Sequence, residues 1–146
     1  MKRIVLAADH GAVDLKDQLR DYLAKKYTNL KIDDLGTYSK ESVDYPDIAK
    51  RVADQVKNNT ETAGILCCGT GIGVSMQANR YKGVRAALVY DEFTAKMAKE
   101  HNNANVLCLG GRTTPVDTAK HLVDTWLDAS FEGGRHERRI EKLDLP

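Results

Sequence analysis

The chain has 146 residues, with 22 Lys and Arg against 21 Asp and Glu, a net charge of +1 and a hydrophobic fraction of 42%. That length fits one domain, residues 1–146, able to bury roughly 70% of the surface of its unfolded chain without staples. The balanced charge offers no basic face for nucleic acid, and no run of about 18 apolar residues exists to cross a membrane.

The chain opens on RIVLAA (3–8), a short apolar run that predicts a buried strand. It begins like a leader peptide, but the apolar part is too short and Asp9 and His10 interrupt it. Leu15, Leu19 and Leu23 recur every fourth residue, the inward stripe of a helix. KIDDLG (31–36) reads as a second strand and GTYSKESVDYP (36–46) as the longest irregular piece. Ile48, Val52 and Val56 mark a second helix, and AGILCC (63–68) a third strand. VRAALVY (84–90) and NVLCLG (105–110) read as the fourth and fifth strands. Val116, Ala119, Val123 and Trp126 then trace one helical face. The tail FEGGRHERRIEKLDLP (131–146) suggests a turn at its double glycine, then a short helix or arm. Strands alternating with helices imply βαβ units and a parallel sheet covered on both faces. The expected fold is α/β, a three-layer α/β/α sandwich with a five-stranded parallel sheet, Rossmann-like in character.

Ligands of such sheets bind beyond the carboxyl ends of the strands. Asp9-His10-Gly11 follow strand one, Cys68-Gly69-Thr70-Gly71 follow strand three, Asp91 follows strand four, and Gly110-Gly111-Arg112 follow strand five. His101 and Asn102 instead precede strand five, at the other end of the sheet. They join the same site only through a long connection or from a second subunit.

The glycines of ILCCGTGIGVS (65–75) exclude two phosphate motifs. A dinucleotide fingerprint needs G-x-G-x-x-G after the first strand, but Val74 stands at its third glycine position here. A P-loop needs a terminal G-K-[ST], and Ile72-Gly73-Val74 lacks it. What remains is a turn into a helix, whose free N–H groups can hold an oxyanion, or a tight turn with no ligand.

Successive strand residues face opposite sides, which makes Cys67 core filler and puts Cys68 at the mouth of the site. A helix start lowers a thiol pKa, so Cys68 is a candidate nucleophile or base. Cys108 lies within strand five and reads as core. Three cysteines without a C-x-x-C spacing point to a reducing cytoplasm. His121 reads as a solvated surface residue; His10 and His101 stand at strand edges, and His136 lies in a charged run. No His/Cys/Asp cluster has metal-ligand spacing. Arg135 and Arg139 share a helix face and suit a phosphate, which each guanidinium grips bidentately.

The set DHG (9–11), SVDYPD (42–47), CGTGIGVS (68–75), EHNNANVL (100–107), GGR (110–112) and GGRHERR (133–139) resembles the type B ribose-5-phosphate isomerases. Their family also includes the galactose-6-phosphate and allose-6-phosphate isomerases. The resemblance runs essentially end to end. It implies an aldose–ketose interconversion through a cis-enediolate, without metal or cofactor, on a phosphorylated sugar. It implies Cys68 as the proton-transferring base and His101 as the ring-opening acid/base. Thr70 and the backbone of Gly69, Gly71, Ile72 and Gly73 steady the enediolate oxygens. Asp9, His10, Asn102, Arg112, Arg135 and Arg139 match the sugar- and phosphate-binding positions. Family members form homodimers, sometimes paired into homotetramers, with sites that combine residues of two subunits.

Some relatives place a glutamate six residues after the cysteine position; Val74 stands there, so Cys68 has no rival. Cys67, SMQANR (75–80) and RTTPVD (112–117) depart from the common pattern without removing a catalytic group. Two alternatives stand beside a five-carbon substrate. One is the same chemistry on galactose or allose 6-phosphate. The other is a non-catalytic sugar-phosphate or nucleotide binding domain, because fold alone does not fix function.

Overall fold

A computed structural model describes residues 1–146. The elements are β1 (Arg3–Ala8), a 3₁₀ turn (His10–Ala12), α1 (Val13–Lys26), β2 (Lys31–Asp34), α2 (Tyr45–Val56) and β3 (Thr62–Cys68). They continue with α3 (Ile72–Ala78), β4 (Ala86–Leu88), α4 (Glu92–Glu100), β5 (Val106–Gly110), α5 (Val116–Asp128) and α6 (Arg135–Glu141). All five strands pair in parallel, in the order β2-β1-β3-β5-β4.

Strand alternation divides the interior into two cores. Ile4, Leu6, Ile65, Cys67, Leu107 and Leu109 face one side, where Leu15, Leu19 and Leu23 of α1 and Leu122 and Trp126 of α5 cover them. Ala95 and Ala98 bring α4 to the same side. Val5, Ala7, Leu66, Cys68, Val106 and Cys108 face the other, against Ile48, Val52 and Val56 of α2 and Val74 and Ala78 of α3. The three layers expected from the sequence are therefore present, and the leucine and valine stripes point inward. α2 lies so close to β3 that a Cβ on Gly64 would overlap Val52 Cγ1. That position admits only glycine, because the neighbour is a packed core side chain.

The fourth strand is shorter than VRAALVY suggested, spanning Ala86–Leu88 at the sheet edge. Its flanks are held differently: Arg85 Nε donates to the Asn103 carbonyl at 2.8 Å, and Val89 N donates to the Cys108 carbonyl at 3.3 Å. The tail turns at Gly133 and Gly134, with φ of 71° and 59°, and then forms α6.

Candidate active site

β1 and β3 are neighbours, paired Ala8 to Cys67, but their following helices leave to opposite faces of the sheet. The crevice opened between such strand ends is where α/β sheets take ligands. Asp9 continues β1 there, 8% exposed, with its amide donating to the Cys67 carbonyl at 3.1 Å. Its carboxylate accepts from Gly11 N at 2.9 Å and caps the 3₁₀ turn. The loop after β5 is tied to the loop after β3 by Gly111 N to the Cys68 carbonyl at 2.8 Å and Arg112 N to the Gly69 carbonyl at 2.9 Å. The three loops thus meet in one place, as a local ordering of strand ends predicts.

Cys68 is 5% exposed and ends β3. Gly71 N donates to its Sγ at 3.1 Å, so the turn aims a backbone amide at the sulfur. The turn that aims this amide needs φ of +79° at Gly71, and a Cβ there would stand 2.7 Å from Leu88 Cδ1 and 2.9 Å from the Leu109 carbonyl carbon. Thr70 is exposed beside it, and its Oγ1 accepts from Ile72 N at 3.2 Å. Cys67 and Cys108 are fully buried, and burial pushes both thiols up, out of reach of ionisation at neutral pH.

Basic groups flank the turn. Arg112 lies across Gly69, with Nη1 3.3 Å from where a Cβ would stand. His10, Gly11, Lys40 and Arg112 line a cavity of about 240 Å³. Val43 N donates to His10 Nδ1 at 3.2 Å, which puts the proton of neutral His10 on Nε2. From the other side the Tyr45 ring presses on Gly73, 2.7 Å from the position of an added Cβ. Tyr45 and Lys40 were not singled out from the sequence. Tyr45 lies within SVDYPD, so the motif held the signal; Lys40 sits in a charged loop with none.

His101, Asn102, Arg135 and Arg139 gather elsewhere. α4 runs back to the amino end of the sheet, where His101 caps it and the chain turns into β5. His101 stacks on His136, ring centroids 4.2 Å apart and planes 15° from parallel. Asn102 lines a groove of about 380 Å³ beside β4, with Leu143 and Asp144 of the tail. Arg135 and Arg139 are exposed on α6, while His136 between them is buried. Within one chain these four residues stand at the opposite end of the sheet from Cys68. The largest cavity, about 530 Å³, also opens at that end, among Asn59, Thr62, Arg85, Lys99 and Asn103. It contains none of the Cys68 turn, so size does not mark the chemistry here.

Sequence spacing showed no metal cluster, but the fold brings His101, Glu132 and His136 together, with ligating atoms within 4.8 Å of one another. Metal nitrogens are bound in the ring plane at about 2.0–2.1 Å. With the two rings nearly parallel and stacked, an ion in one plane stands well out of the other. The trio as folded does not converge on an ion.

Residues 4–143 match the ribose/galactose isomerase family. The chain belongs to this isomerase family. It is 49% identical to a probable ribose-5-phosphate isomerase B of Mycoplasma genitalium over 142 residues, 96% of this chain and 92% of that one. The crystal structure of the M. genitalium ribose-5-phosphate isomerase B with bound ribulose-5-phosphate superposes with a TM-score of 0.92 at 48% identity, covering 97% of this chain and 93% of that one. A ribose 5-phosphate isomerase from Thermotoga maritima gives a TM-score of 0.93 at 50% identity, covering 98% and 97%. A D-erythrulose-4-phosphate isomerase of Pectobacterium atrosepticum is 40% identical over 146 residues, covering 98% of this chain and 93% of that one. The relatives thus include ones named for substrates of different length.

Proposed function

We propose that this chain interconverts ribose 5-phosphate and ribulose 5-phosphate, with Cys68 as the base. The observation that carries the assignment of Cys68 is its sulfur held by the Gly71 amide at 3.1 Å, in a turn bounded by Asp9 and Arg112. A thiolate takes the proton from C2 of the open aldose while the C1 carbonyl becomes an enediolate oxygen. Thr70 and the amides of Gly69, Gly71, Ile72 and Gly73 steady the two oxygens. The same sulfur returns the proton to C1, and the carbonyl reforms at C2 as the proton of the C2 hydroxyl passes to the C1 oxygen. Hydrogen moves only as protons, so the reaction calls for no cofactor.

The substrate reaches this base as a furanose and must first open. His101 donates a proton to the ring oxygen as the C1–O4 bond breaks, and the proton of the C1 hydroxyl passes to water. Asp9 and Asn102 hold sugar hydroxyls; His10, Arg112, Arg135 and Arg139 hold the phosphate, whose binding orients the reacting carbons. His101, Asn102, Arg135 and Arg139 come from a second copy of the chain, in a homodimer or homotetramer with shared sites. Their place at the far end of the sheet from Cys68 supports that reading. The free cysteines suit a reducing cytoplasm.

The test is proton NMR in D₂O with ribose 5-phosphate, allose 6-phosphate and galactose 6-phosphate in parallel. Loss of the C2 proton signal of ribose 5-phosphate with growth of ketose signals is expected. Exchange on a six-carbon sugar alone would keep the mechanism and move the substrate. Unchanged spectra in every tube would favour a binding domain. The Pectobacterium relative adds D-erythrose 4-phosphate as a fourth tube.

A further inference from the structure

The reaction above uses His101 but not the groups built around it. His136 is 5% exposed, and its Nε2 is the only buried side-chain nitrogen or oxygen without a hydrogen-bond partner. Its ring stacks on His101 at 4.2 Å and 15°. Glu132 Oε2 stands 3.4 Å from His136 Nε2 and 3.8 Å from His101 Nε2. The three side chains come from the end of α4, the segment before the double glycine, and the first turn of α6. The carboxylate is set there by Glu132 N, which donates to the Glu100 carbonyl at 3.0 Å.

We propose that His136 and Glu132 are positioning residues for ring opening: His136 is a neutral platform that holds the His101 ring, and Glu132 is the counter-ion of its charged form. This rests on the reading of His101 as the ring-opening acid. Two stacked imidazoles cannot both carry charge without strong repulsion, so at most one of the two rings is charged at a time. Burial opposes charge on His136, and His101, Arg135 and Arg139 add repulsion, against the single attraction of Glu132. His101 has 36% of its side chain exposed, so water solvates a charge there. On α4, Glu100 faces Lys96 at 3.7 Å and Lys99 lies over the Trp126 ring. Burial and that repulsion keep His136 neutral beside His101. An imidazolium over a neutral aromatic ring is itself attractive, and fixing an acid's direction contributes to rate without touching substrate.

The experiment reads ring opening alone. With Cys68 replaced (Cys68→Ala, or Cys68→Ser should the first fold poorly), ribose 5-phosphate opens and recloses but does not isomerise. Enzyme-dependent exchange between its α and β anomers is followed by ¹³C exchange NMR at C1. Adding Glu132→Gln or His136→Ala is expected to slow that exchange at least tenfold. Adding His136→Phe, which keeps a neutral stacked ring, should hold it within about threefold. In otherwise native protein, Glu132→Gln should lower kcat with little change in KM. His101→Asn is the reference arm. Exchange lost with His101→Asn but kept with Glu132→Gln and His136→Ala overturns the positioning roles alone. Exchange unaffected by His101→Asn overturns the reading of His101 and the proposal with it. Equal loss with His136→Phe and His136→Ala removes the platform role.

Discussion

Cys67 and Cys68 are consecutive residues of β3 and belong to different cores, one on each face of the sheet. Only Cys68 also reaches the crevice, at 5% exposure against none for Cys67 and Cys108. Burial holds the other two as thiols, and thiolate is the reactive form. Iodoacetamide is therefore expected to alkylate the native protein once, at Cys68, with all three labelled after unfolding. Peptide mass mapping decides; native labelling of Cys67 or Cys108 would contradict the two-core arrangement.

Replacing Cys68, the proposed base, should separate chemistry from binding. Cys68→Ala is expected to lower kcat by about 10²–10⁴-fold or more and to leave the affinity for ribose 5-phosphate within a few-fold. Deuterium incorporation at C2 and isothermal titration give the two quantities. Full activity in the variant would remove Cys68 from its role.

The proposal that a site is shared between two copies makes a genetic prediction. Cys68→Ala and Arg139→Ala chains, each expected to be impaired alone, should recover activity when co-expressed. Mixed dimers keep one intact site, so recovery approaches about a quarter of the native level for random pairing. Arg139→Ala by itself should raise KM more than it lowers kcat. Absence of recovery from purified mixed dimers would place all catalytic groups of a site in one chain.

The strands were legible because buried parallel strands need continuous apolar runs, and RIVLAA, AGILCC and NVLCLG have them. The turn at Cys68 was legible because its glycines answer a local backbone demand. Contacts distant in the chain were not. Nothing near Glu132 or His136 announces His101, which lies 31 residues before the first of them. Tyr45 reaches Gly73 only through the packing of α2 on α3. Lys16 is another case: its helix position carries no sign of burial, yet it is fully buried with Asp34 at 2.7 Å.

That lysine gives a stability prediction. Asp34 accepts from Lys16 Nζ, from Arg20 Nη1 at 2.9 Å and from Gly36 N at 2.8 Å. Burial pushes its carboxyl up, but those three donors outweigh burial and hold it below the ordinary range. The folded value lies under the unfolded one, so this stabilisation is complete above about pH 4 and is lost as pH falls through the folded value. Asp34→Ala leaves Lys16 buried without its main counter-ion and should cost about 3 kcal/mol. Chemical denaturation at neutral and acid pH checks both points; an unchanged midpoint at neutral pH would contradict the pairing.

Gly71→Ala tests the turn. The positive φ and the overlap with Leu88 and Leu109 together should cost about 3 kcal/mol, a fall in Tm of roughly 5–10 °C. The amide would also move from the Cys68 sulfur, so kcat should fall beyond what lost stability explains. Thermal melts and kinetics well below the transition separate the two effects.

Gly134 connects the last two helices at φ 59° and ψ −129°, with nothing within 4 Å of an added Cβ. Those angles are close to the mirror image of the extended conformation that L-residues favour. An L-side chain is excluded by stereochemistry alone, since no neighbour obstructs it. A D-alanine placed there by chemical synthesis would lie in its own preferred basin and stiffen the junction. The course of the arm that carries Arg135 and Arg139 is thus written in the handedness of one achiral residue.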